Sequence, residues 1–311
     1  MMKQKLIVLT GPTAVGKSAL SVKLAQKIDA QIISADSMQV YKYMDIGTAK
    51  VTKEEMQGIP HYLISVLDPK EEFNVCRFVS LAKEAVKSIT AQGKIPLIVG
   101  GTGFYIHALL YDTDFSDSSG KTDYRSELET MQDTTLHEKL SAVDPVSAET
   151  IHPNNRKRMI RALEYYYETN SPISLHNQMQ RQKESPYDFR YFVLTDERQK
   201  VYERIDARVD QMIDNGLVNE VKRLQEMGYN REMVSMQGIG YKEILVHLQG
   251  KYDLSEAVRI IKRDSRHYAK RQMTWFRREK DVIFINKKDY AYDDEKILSE
   301  LLKNISNINT E

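Results

Sequence analysis

The chain has 311 residues, and 45 Lys and Arg against 44 Asp and Glu leave a formal net charge of +1. With 41% hydrophobic and 29% charged residues, the composition indicates a soluble globular protein and excludes the disordered, fibrous and membrane-embedded classes. No apolar run approaches the roughly 18 residues of a membrane helix. The single cysteine, Cys76, permits neither an internal disulfide nor, by itself, a zinc site. We therefore expect a cytoplasmic protein.

The first third of the chain alternates short apolar runs with helical patterns. Strands are predicted at residues 6–10, 31–35, 61–66 and 95–99. Between them, apolar residues recur at four-residue spacing over 19–28, and Asn74 is the predicted N-cap of a second helix. This alternation predicts a parallel sheet covered by helices on both faces.

The composition changes after Tyr111. Residues 112–123 form a polar stretch typical of a linker, and a second polar stretch covers residues 181–188. Helical patterns lie between them, whereas residues 189–194 and 282–285 again read as strands. We therefore predict an α/β core formed by residues 1–113 and 188–311, interrupted by an all-helical insertion at residues 114–187.

A phosphate-binding pattern follows the first predicted strand. Residues 11–18 read Gly-Pro-Thr-Ala-Val-Gly-Lys-Ser, which fits G-x-x-x-x-G-K-[ST] in the required context of strand, loop and helix. Backbone N–H groups of such a loop surround a di- or triphosphate, Lys17 adds positive charge, and the Ser18 hydroxyl can ligate Mg²⁺. The residues expected to bind the phosphates are Gly11, Thr13, Ala14, Val15, Gly16, Lys17 and Ser18.

Three further features admit two interpretations each. Asp36 follows a strand whose end should face the P-loop, so it is either catalytic or a helix cap. The run Gly-Gly-Thr-Gly at 100–103 is either a tight turn or a close approach of backbone to a ligand. Arg204 and Arg208 lie one helical turn apart, and they either clamp a diphosphate or pair with nearby acids.

Basic residues are concentrated in two segments. Residues 259–280 contain nine Lys and Arg against Asp264 and Glu279, a balance of 9 − 2 = +7, and residues 156–161 form a second basic patch. Each segment could be an ordinary solvated helix face. Two dense patches in a chain of net charge +1 favour a partner with a phosphate backbone.

Seven motifs then occur in order over about residues 6–278: residues 11–18, 36–41 (DSMQVY), 45–50 (DIGTAK), 100–103 (GGTG), 161–164 (RALE), 238–243 (GIGYKE) and 270–277 (KRQMTWFR). In this set and order the chain resembles the bacterial tRNA dimethylallyltransferase family, also called tRNA isopentenyltransferases. Only the P-loop is shared with unrelated NTPases.

The resemblance implies transfer of a dimethylallyl group from dimethylallyl diphosphate to N6 of the adenine just 3′ of the tRNA anticodon. It implies that Asp36 is the general base, that Arg208 assists at the diphosphate, and that Mg²⁺ is the cofactor, held through Ser18. It also implies a P-loop NTPase-like parallel sheet core flanked by helices, with a helical insertion that grips the anticodon stem. The residues that it assigns to tRNA binding are Asp36, Ser37, Met38, Gln39, Thr102, Arg125, Lys157, Arg158, Met159, Ile160, Arg161, Lys270, Arg271 and Gln272.

Two other functional classes compete with this hypothesis. The P-loop alone is compatible with a kinase for a small molecule or nucleoside, and the basic patches alone are compatible with a non-enzymatic RNA-binding protein. The first leaves the basic patches unexplained, and the second does not explain why Lys17, Ser18 and Asp36 accompany them. We expect a monomer that binds tRNA and dimethylallyl diphosphate, without a membrane or an obligate protein partner.

Overall fold

A computed structural model describes residues 3–114 and 124–306 of the chain. By its internal contacts the chain divides into two compact units, one formed by Met1–Leu109 with Tyr187–Glu311 and the other by Leu110–Pro186. These limits fall within a few residues of those expected for the core and the insertion.

The secondary structure alternates in the first unit and is helical in the second. In chain order the elements are β1 (Gln4–Thr10), α1 (Lys17–Lys27), β2 (Ala30–Ser34), α2 (Lys53–Met56), β3 (His61–Tyr62), α3 (Val75–Ala91), β4 (Ile95–Gly100), α4 (Gly103–Leu110), α5 (Tyr124–Thr130), α6 (Asp133–Val143), α7 (Pro145–Thr150), α8 (Arg156–Thr169), α9 (Ile173–Gln182), β5 (Tyr187–Thr195), α10 (Arg198–Asp214), α11 (Leu217–Glu226), α12 (Tyr241–Leu248), α13 (Leu254–Phe276), β6 (Val282–Asn286) and α14 (Asp294–Ser306). Short 3₁₀ turns cover Ser235–Gln237 and Lys287–Tyr290.

The six described strands form one parallel sheet in the order β3-β2-β4-β1-β5-β6. β1 lies between β4 and β5, so the chain leaves after β4, passes through the helical unit and returns to complete the sheet on the other side of β1. The connections that follow β1 and β4 run in opposite directions from these neighbouring strands. A ligand crevice is expected at the carboxyl ends of two such strands.

The expected α/β architecture with a P-loop-like parallel sheet is confirmed, but one predicted strand is too long. The strand expected at residues 61–66 contains only His61 and Tyr62, because Leu63 (φ 62°) and Ser65 (φ 52°) adopt the left-handed conformation. Strand pairing cannot continue through such residues. The apolar character of this segment comes from burial of Leu63 and Leu67 rather than from an extended conformation.

The local signals at helix starts behave as expected. Asn74 caps α3, with its Oδ1 accepting a hydrogen bond from Arg77 N at 3.0 Å. In the second unit, Leu136 and Leu140 of α6 pack with Leu163 of α8 in a small hydrophobic core. No helix in the described ranges is long and apolar enough to cross a membrane.

Candidate active site

The P-loop adopts a conformation that its two glycines make possible. Gly11 (φ 147°) and Gly16 (φ 96°) occupy the region that side chains disfavour, and a Cβ on Gly11 would lie 2.3 Å from Leu194 O of β5. Between them Ala14 is also left-handed, at φ 62°. Lys17 Nζ donates to the carbonyls of Gly11 and Pro12 at 2.9 and 2.8 Å. The Lys17 side chain therefore folds back over the P-loop.

The charge of Lys17 is weakened by its surroundings. Burial, and after it the positive charge of Arg208, lower the pKa of Lys17 to about 7, while the charge of Asp36 acts in the opposite direction. Burial also lowers the pKa of Arg208, against the favourable charges of Glu55 and Asp36. Two cations that repel each other across a partly desolvated space are the arrangement expected of an anion site.

Arg204 and Arg208 have different tasks in the structure. Arg204 Nε donates to Ala14 O at 2.8 Å, and its guanidinium pairs with the buried Asp196 at 2.6 Å. It therefore supports the P-loop from outside instead of clamping a diphosphate with Arg208. Arg208 itself lines a cavity, and within the described residues it has no hydrogen-bond or ion-pair partner.

Asp36 fills the capping role, one of the two that the sequence left open, with a single carboxylate oxygen. Its Oδ1 accepts hydrogen bonds from Met38 N at 2.8 Å and Gln39 N at 3.2 Å, so the carboxylate does cap the turn after β2. Its Oδ2 has no partner among the described residues, and the side chain is only half-buried. One oxygen holds the carboxylate in place and the other remains open to the cavity.

A cavity of about 370 Å³ brings three of the predicted groups together. Thr13 of the P-loop, Asp36 and Arg208 line it, together with the backbone of Gly47 and the ring of Tyr268. Its remaining wall is partly apolar and includes Ser37, Met38, Ile205, Val209, Met212, Ile239, Ile261 and Arg271. Burial and, next, the charge of Asp36 raise the pKa of Tyr268 to about 12, so its hydroxyl stays protonated.

Glu220 of α11 positions one wall of this cavity, and sequence reasoning missed it. Its carboxylate accepts hydrogen bonds from the backbone N–H groups of Asp45, Ile46 and Gly47 at 3.0, 2.8 and 3.1 Å, and from Tyr241 Oη at 2.7 Å. The side chain is buried. It thus ties the DIGTAK and GIGYKE motifs together. No sequence signal distinguishes it, since an acid in an amphipathic helix ordinarily faces solvent.

The turn after β4 packs against Ala35, the residue before Asp36, and against α13. A Cβ on Gly100 would lie 2.3 Å from the backbone of Ala35, and Thr102 N donates to Ala35 O at 3.1 Å. The GGTG run therefore makes a close backbone approach, and the group that it approaches is the backbone of Ala35. Gln272 of α13 is 6% exposed, and both ends of its amide bond to backbone. This argues against the direct RNA contact expected of Gln272.

The side-chain amide of Gln39 is also hydrogen-bonded to the backbone. Gln39 Nε2 donates to the carbonyls of Thr48 and Ala49, both at 3.3 Å. These bonds secure the loop at 45–50, which Lys50 also holds by donating to Tyr41 O at 2.6 Å and Asp45 Oδ1 at 2.7 Å. The acceptor oxygen of Gln39 is the part of this side chain that is left for a substrate.

The basic segment on α13 is divided by ion pairs. In its first half the cations are matched: Arg259 with Glu256, Lys262 with Asp210, Arg263 with Asp264 and Arg266 with Asp206. Lys270 and Arg271, which follow, are exposed and have no ion-pair partner in the described part of the chain. The excess positive charge is thus confined to the second half of the segment.

Three of the cations expected to bind RNA lie on α8 of the second unit. Lys157 and Arg158 are exposed and Arg161 is half-buried, whereas Met159 and Ile160 are 0% and 4% exposed in the core of this unit. Met159 and Ile160 are also expected to bind tRNA, but helical periodicity turns them inward, which argues against an RNA contact through their side chains. Arg125 Nε lies 3.0 Å from Glu164 Oε1, so an RNA contact by Arg125 would have to compete with this ion pair.

A P-loop beside a cavity with an open carboxylate defines a class, namely α/β enzymes of the P-loop type that act on a substrate bearing linked phosphates. Comparisons with known proteins narrow the class. The family model described as IPP transferase matches residues 39–279, and the one described as Isopentenyl transferase matches residues 4–68. The chain therefore belongs to the IPP transferase family, whose curated members include tRNA dimethylallyltransferases.

Similar proteins agree with this assignment. A tRNA dimethylallyltransferase of Lachnoclostridium phytofermentans is 57% identical over 304 residues, which cover 96% of this chain and 97% of that protein. The crystal structure of a tRNA isopentenylpyrophosphate transferase from Staphylococcus epidermidis has 45% identity and a TM-score of 0.73, covering 98% of this chain and 100% of the other. A eukaryotic dimethylallyltransferase acting on tRNA has 32% identity and a TM-score of 0.85, covering 98% of this chain and 80% of its own. These matches favour a transferase over the kinase and the non-enzymatic RNA-binding protein.

Proposed function

We propose that this enzyme transfers the dimethylallyl group of dimethylallyl diphosphate to N6 of the adenine 3′-adjacent to the anticodon, position 37 of tRNA. The observation that carries the proposal is the shared cavity. An uncommitted carboxylate oxygen on Asp36 and the unpaired cation of Arg208 line the same space, beside Thr13 of the P-loop.

The reaction divides between two ends of this cavity. The C1–O bond of the allylic diphosphate breaks, a bond forms between C1 and N6, and diphosphate leaves. Positive charge develops on the allyl group and negative charge on the leaving diphosphate. Backbone N–H groups of the P-loop, Lys17 and Arg208 stabilise that negative charge. The apolar wall, which includes Ile205 and Val209, suits the five-carbon group.

Asp36 acts on the acceptor. N6 of adenine gains a bond to carbon and must lose a proton, which Asp36 Oδ2 accepts. An adenine stacked in an RNA loop cannot reach this carboxylate, so the base is turned out into the cavity. The hydrogen bonds of Met38 N and Gln39 N to Oδ1 fix the orientation of the carboxylate before the base arrives.

Magnesium fits the site only as a diphosphate-bound ion. No group of three or more His, Cys, Asp or Glu side chains in the described ranges forms a metal cage. The exposed Ser18 hydroxyl at the start of α1 is a suitable oxygen ligand for a metal that is otherwise held by phosphate oxygens and water. Bound in this way, Mg²⁺ would supply charge neutralisation on the leaving diphosphate.

The RNA is held by the unpaired cations. Lys157, Arg158 and Arg161 of the helical unit, and Lys270 and Arg271 of α13, are the groups that we assign to the phosphate backbone. We place the reaction in the cytoplasm, with the protein acting as a monomer without an obligate protein partner.

A labelling experiment tests the proposal. Purified protein is incubated with dimethylallyl diphosphate labelled in the allyl group, Mg²⁺ and an unmodified tRNA transcript that has adenine at position 37. Label is expected in the RNA and, after nuclease digestion, only in the adenosine from position 37. A transcript that has guanine at this position serves as the matched control. Absence of label from the RNA, with phosphate transfer from ATP to a small acceptor instead, would contradict the proposal.

A further inference from the structure

Gln272 joins the two loops that meet at the crevice of the sheet. Its Oε1 accepts a hydrogen bond from Thr13 N in the loop after β1, at 2.9 Å. Its Nε2 donates to Gly101 O in the loop after β4, also at 2.9 Å. The two partners are 259 and 171 residues away along the chain, and the side chain is buried.

The approach of α13 to the loop after β4 leaves no room for other residues. A Cβ on Gly101 would lie 2.1 Å from Gln272 Nε2, and one on Gly103 would lie 2.2 Å from the ring of Trp275. Tyr268, Gln272 and Trp275 follow one another at helical spacing, so they share one face of α13. This face fixes the loop, and Gln272 extends the contact to the P-loop through its hydrogen bond from Thr13 N.

The two loops serve different substrates in the proposed reaction. Thr13 belongs to the loop that binds the diphosphate, and its N–H is already used by Gln272 and is not available to a phosphate. Gly101 precedes Thr102, which is bonded to Ala35 next to the general base Asp36. A shift between these loops would change the distance between the allyl carbon and N6 without removing a binding group from either substrate.

We propose that Gln272 is a positioning residue. It holds the loop after β1, which binds the diphosphate, and the loop after β4, which lies beside the general base, at the separation that transfer requires. The inference rests on the proposed function. A neutral side chain of this length with both a donor and an acceptor is needed to accept from Thr13 N and donate to Gly101 O at the same time, and the amide of Gln272 supplies both at every pH. Loss of the bridge therefore lowers the rate of transfer more than the affinity for either substrate.

Two variants test the bridge by single-turnover transfer with saturating dimethylallyl diphosphate and tRNA transcript. Gln272→Met keeps the length but has no hydrogen bonds. Its rate is expected to fall at least about tenfold, while the Kd values for inorganic diphosphate and for tRNA change less than about threefold. A rate within about threefold of wild type, or a loss of diphosphate affinity that accounts for the whole effect, overturns the proposal.

Gln272→Glu gives a second, independent readout. An ionised carboxylate accepts from Thr13 N but repels Gly101 O, whereas the protonated form can donate to it again. The ratio of its rate to that of wild type should therefore rise as the pH falls from about 8 to about 5.5. Tyr268, whose hydroxyl interacts with the Gln272 side chain, and the groups that act on Tyr268 or Lys17, namely Asp36, Arg271 and Arg208, are the titratable or charged groups of this region. Wild type contains all of them, so the ratio cancels the part of their pH dependence that does not depend on residue 272.

The control is Gln225→Glu, the same change at an exposed position near the end of α11. It should leave the rate unchanged at every pH. A constant ratio for Gln272→Glu across the range overturns the bridge, and this series decides the matter if Gln272→Met does not fold. Failure of wild type itself to transfer the allyl group would overturn the proposed function instead, so the two failures are distinguishable.

Discussion

Asp36 uses one carboxylate oxygen for its own turn, and the other, which we propose as the general base, has no partner in the described residues. Asp36→Asn therefore changes the proposed chemistry without removing the cap. The amide keeps an oxygen that accepts from Met38 N and Gln39 N, but it cannot take the proton from N6. The single-turnover rate should fall about 10²–10⁴-fold. Affinities for both substrates should change less than about tenfold, and the melting temperature should stay close to that of wild type.

The matched control for this prediction is Asp253→Asn. Asp253 Oδ1 accepts from Glu256 N at 2.8 Å at the start of α13, so the same change is made in a similar local turn, at a residue that does not line the cavity. It should leave transfer intact. An Asp36→Asn enzyme whose single-turnover rate lies within a few-fold of wild type would show that Asp36 is only a cap.

The lowered pKa of Lys17 predicts how the affinity for diphosphate depends on pH. With a pKa of about 7 in the free protein, its amine is half neutral at pH 7 and mostly neutral at higher pH. A bound diphosphate favours the ammonium form and raises this pKa, so binding above pH 7 takes up a proton. The Kd for dimethylallyl diphosphate should therefore increase by up to about tenfold per pH unit between about pH 7 and 9.

Titration calorimetry in this range measures the effect, because a phosphate group with a last pKa of about 6 is mostly ionised at pH 7 and almost completely ionised above pH 8. Lys17→Arg is the control, since a guanidinium remains charged throughout, and its Kd should be independent of pH whatever its absolute value. A wild-type Kd that is constant from pH 7 to 9 would contradict the lowered pKa of Lys17.

At the scale of elements, α11 supports the cavity wall through Glu220. Replacing Glu220 with Ala leaves three backbone N–H groups and the Tyr241 hydroxyl without their acceptor. Unpaired polar groups of this kind cost about 1–3 kcal/mol, so the free energy of unfolding should fall by at least about 2 kcal/mol. Urea denaturation measures this, and Glu226→Ala, at an exposed position of the same helix, should change it by less than about 0.5 kcal/mol. Equal stability of the two variants would show that Glu220 is not needed to hold the wall.

The cations on the polar face of α8 should contribute to the affinity for tRNA and not to the affinity for dimethylallyl diphosphate. Arg158→Ala with Arg161→Ala removes two cations that have no ion-pair partner in the described residues. The affinity for tRNA should fall, and the slope of log K against log salt should decrease by about 1–2, because each phosphate contact releases counterions. The Kd for dimethylallyl diphosphate should not change. Lys296→Ala with Lys303→Ala on α14 makes the same charge change as a control, and an unaltered tRNA affinity in the α8 variant would make its basic face a solvated surface.

At the scale of the whole molecule, the sheet is built from both sides of the insertion. β5 pairs with β1 over residues 187–193, and at the base of the helical unit Ser185 Oγ donates to Leu110 O at 2.6 Å. The two ends of the insertion therefore meet. A short Gly/Ser linker in place of residues 110–186 should leave a folded core that retains the P-loop, Asp36 and Arg208.

This shortened protein should bind inorganic diphosphate with a Kd within about threefold of the full chain, because every group assigned to the diphosphate is retained. Its affinity for tRNA should fall far more, since the cations of α8 are removed. Circular dichroism and calorimetry check the two halves of the prediction. A core that unfolds, or that keeps full tRNA affinity, would contradict the division of tasks between the units.

The sequence by itself determined whatever depends on neighbouring residues. The P-loop, the Asn74 cap and the position of Asp36 after a strand follow from short spacings, since each is encoded within one element and its adjoining turn. The helical insertion follows from the two polar stretches that border a run of helical patterns. The strand predicted at 61–66 is too long because left-handed residues such as Leu63 and Ser65 carry no clear signal in the local sequence.

Only the tertiary structure decided which side chain meets which backbone across long separations. Glu220 reaches the loop at 45–47, Gln272 reaches Thr13 and Gly101, and Arg204 reaches Ala14, each more than 170 residues away. In the sequence these are an acid, an amide and a base on helices, indistinguishable from residues that face solvent. Their roles come from where the packed helices place them, because a hydrogen bond depends on distance and direction in space and not on position in the chain.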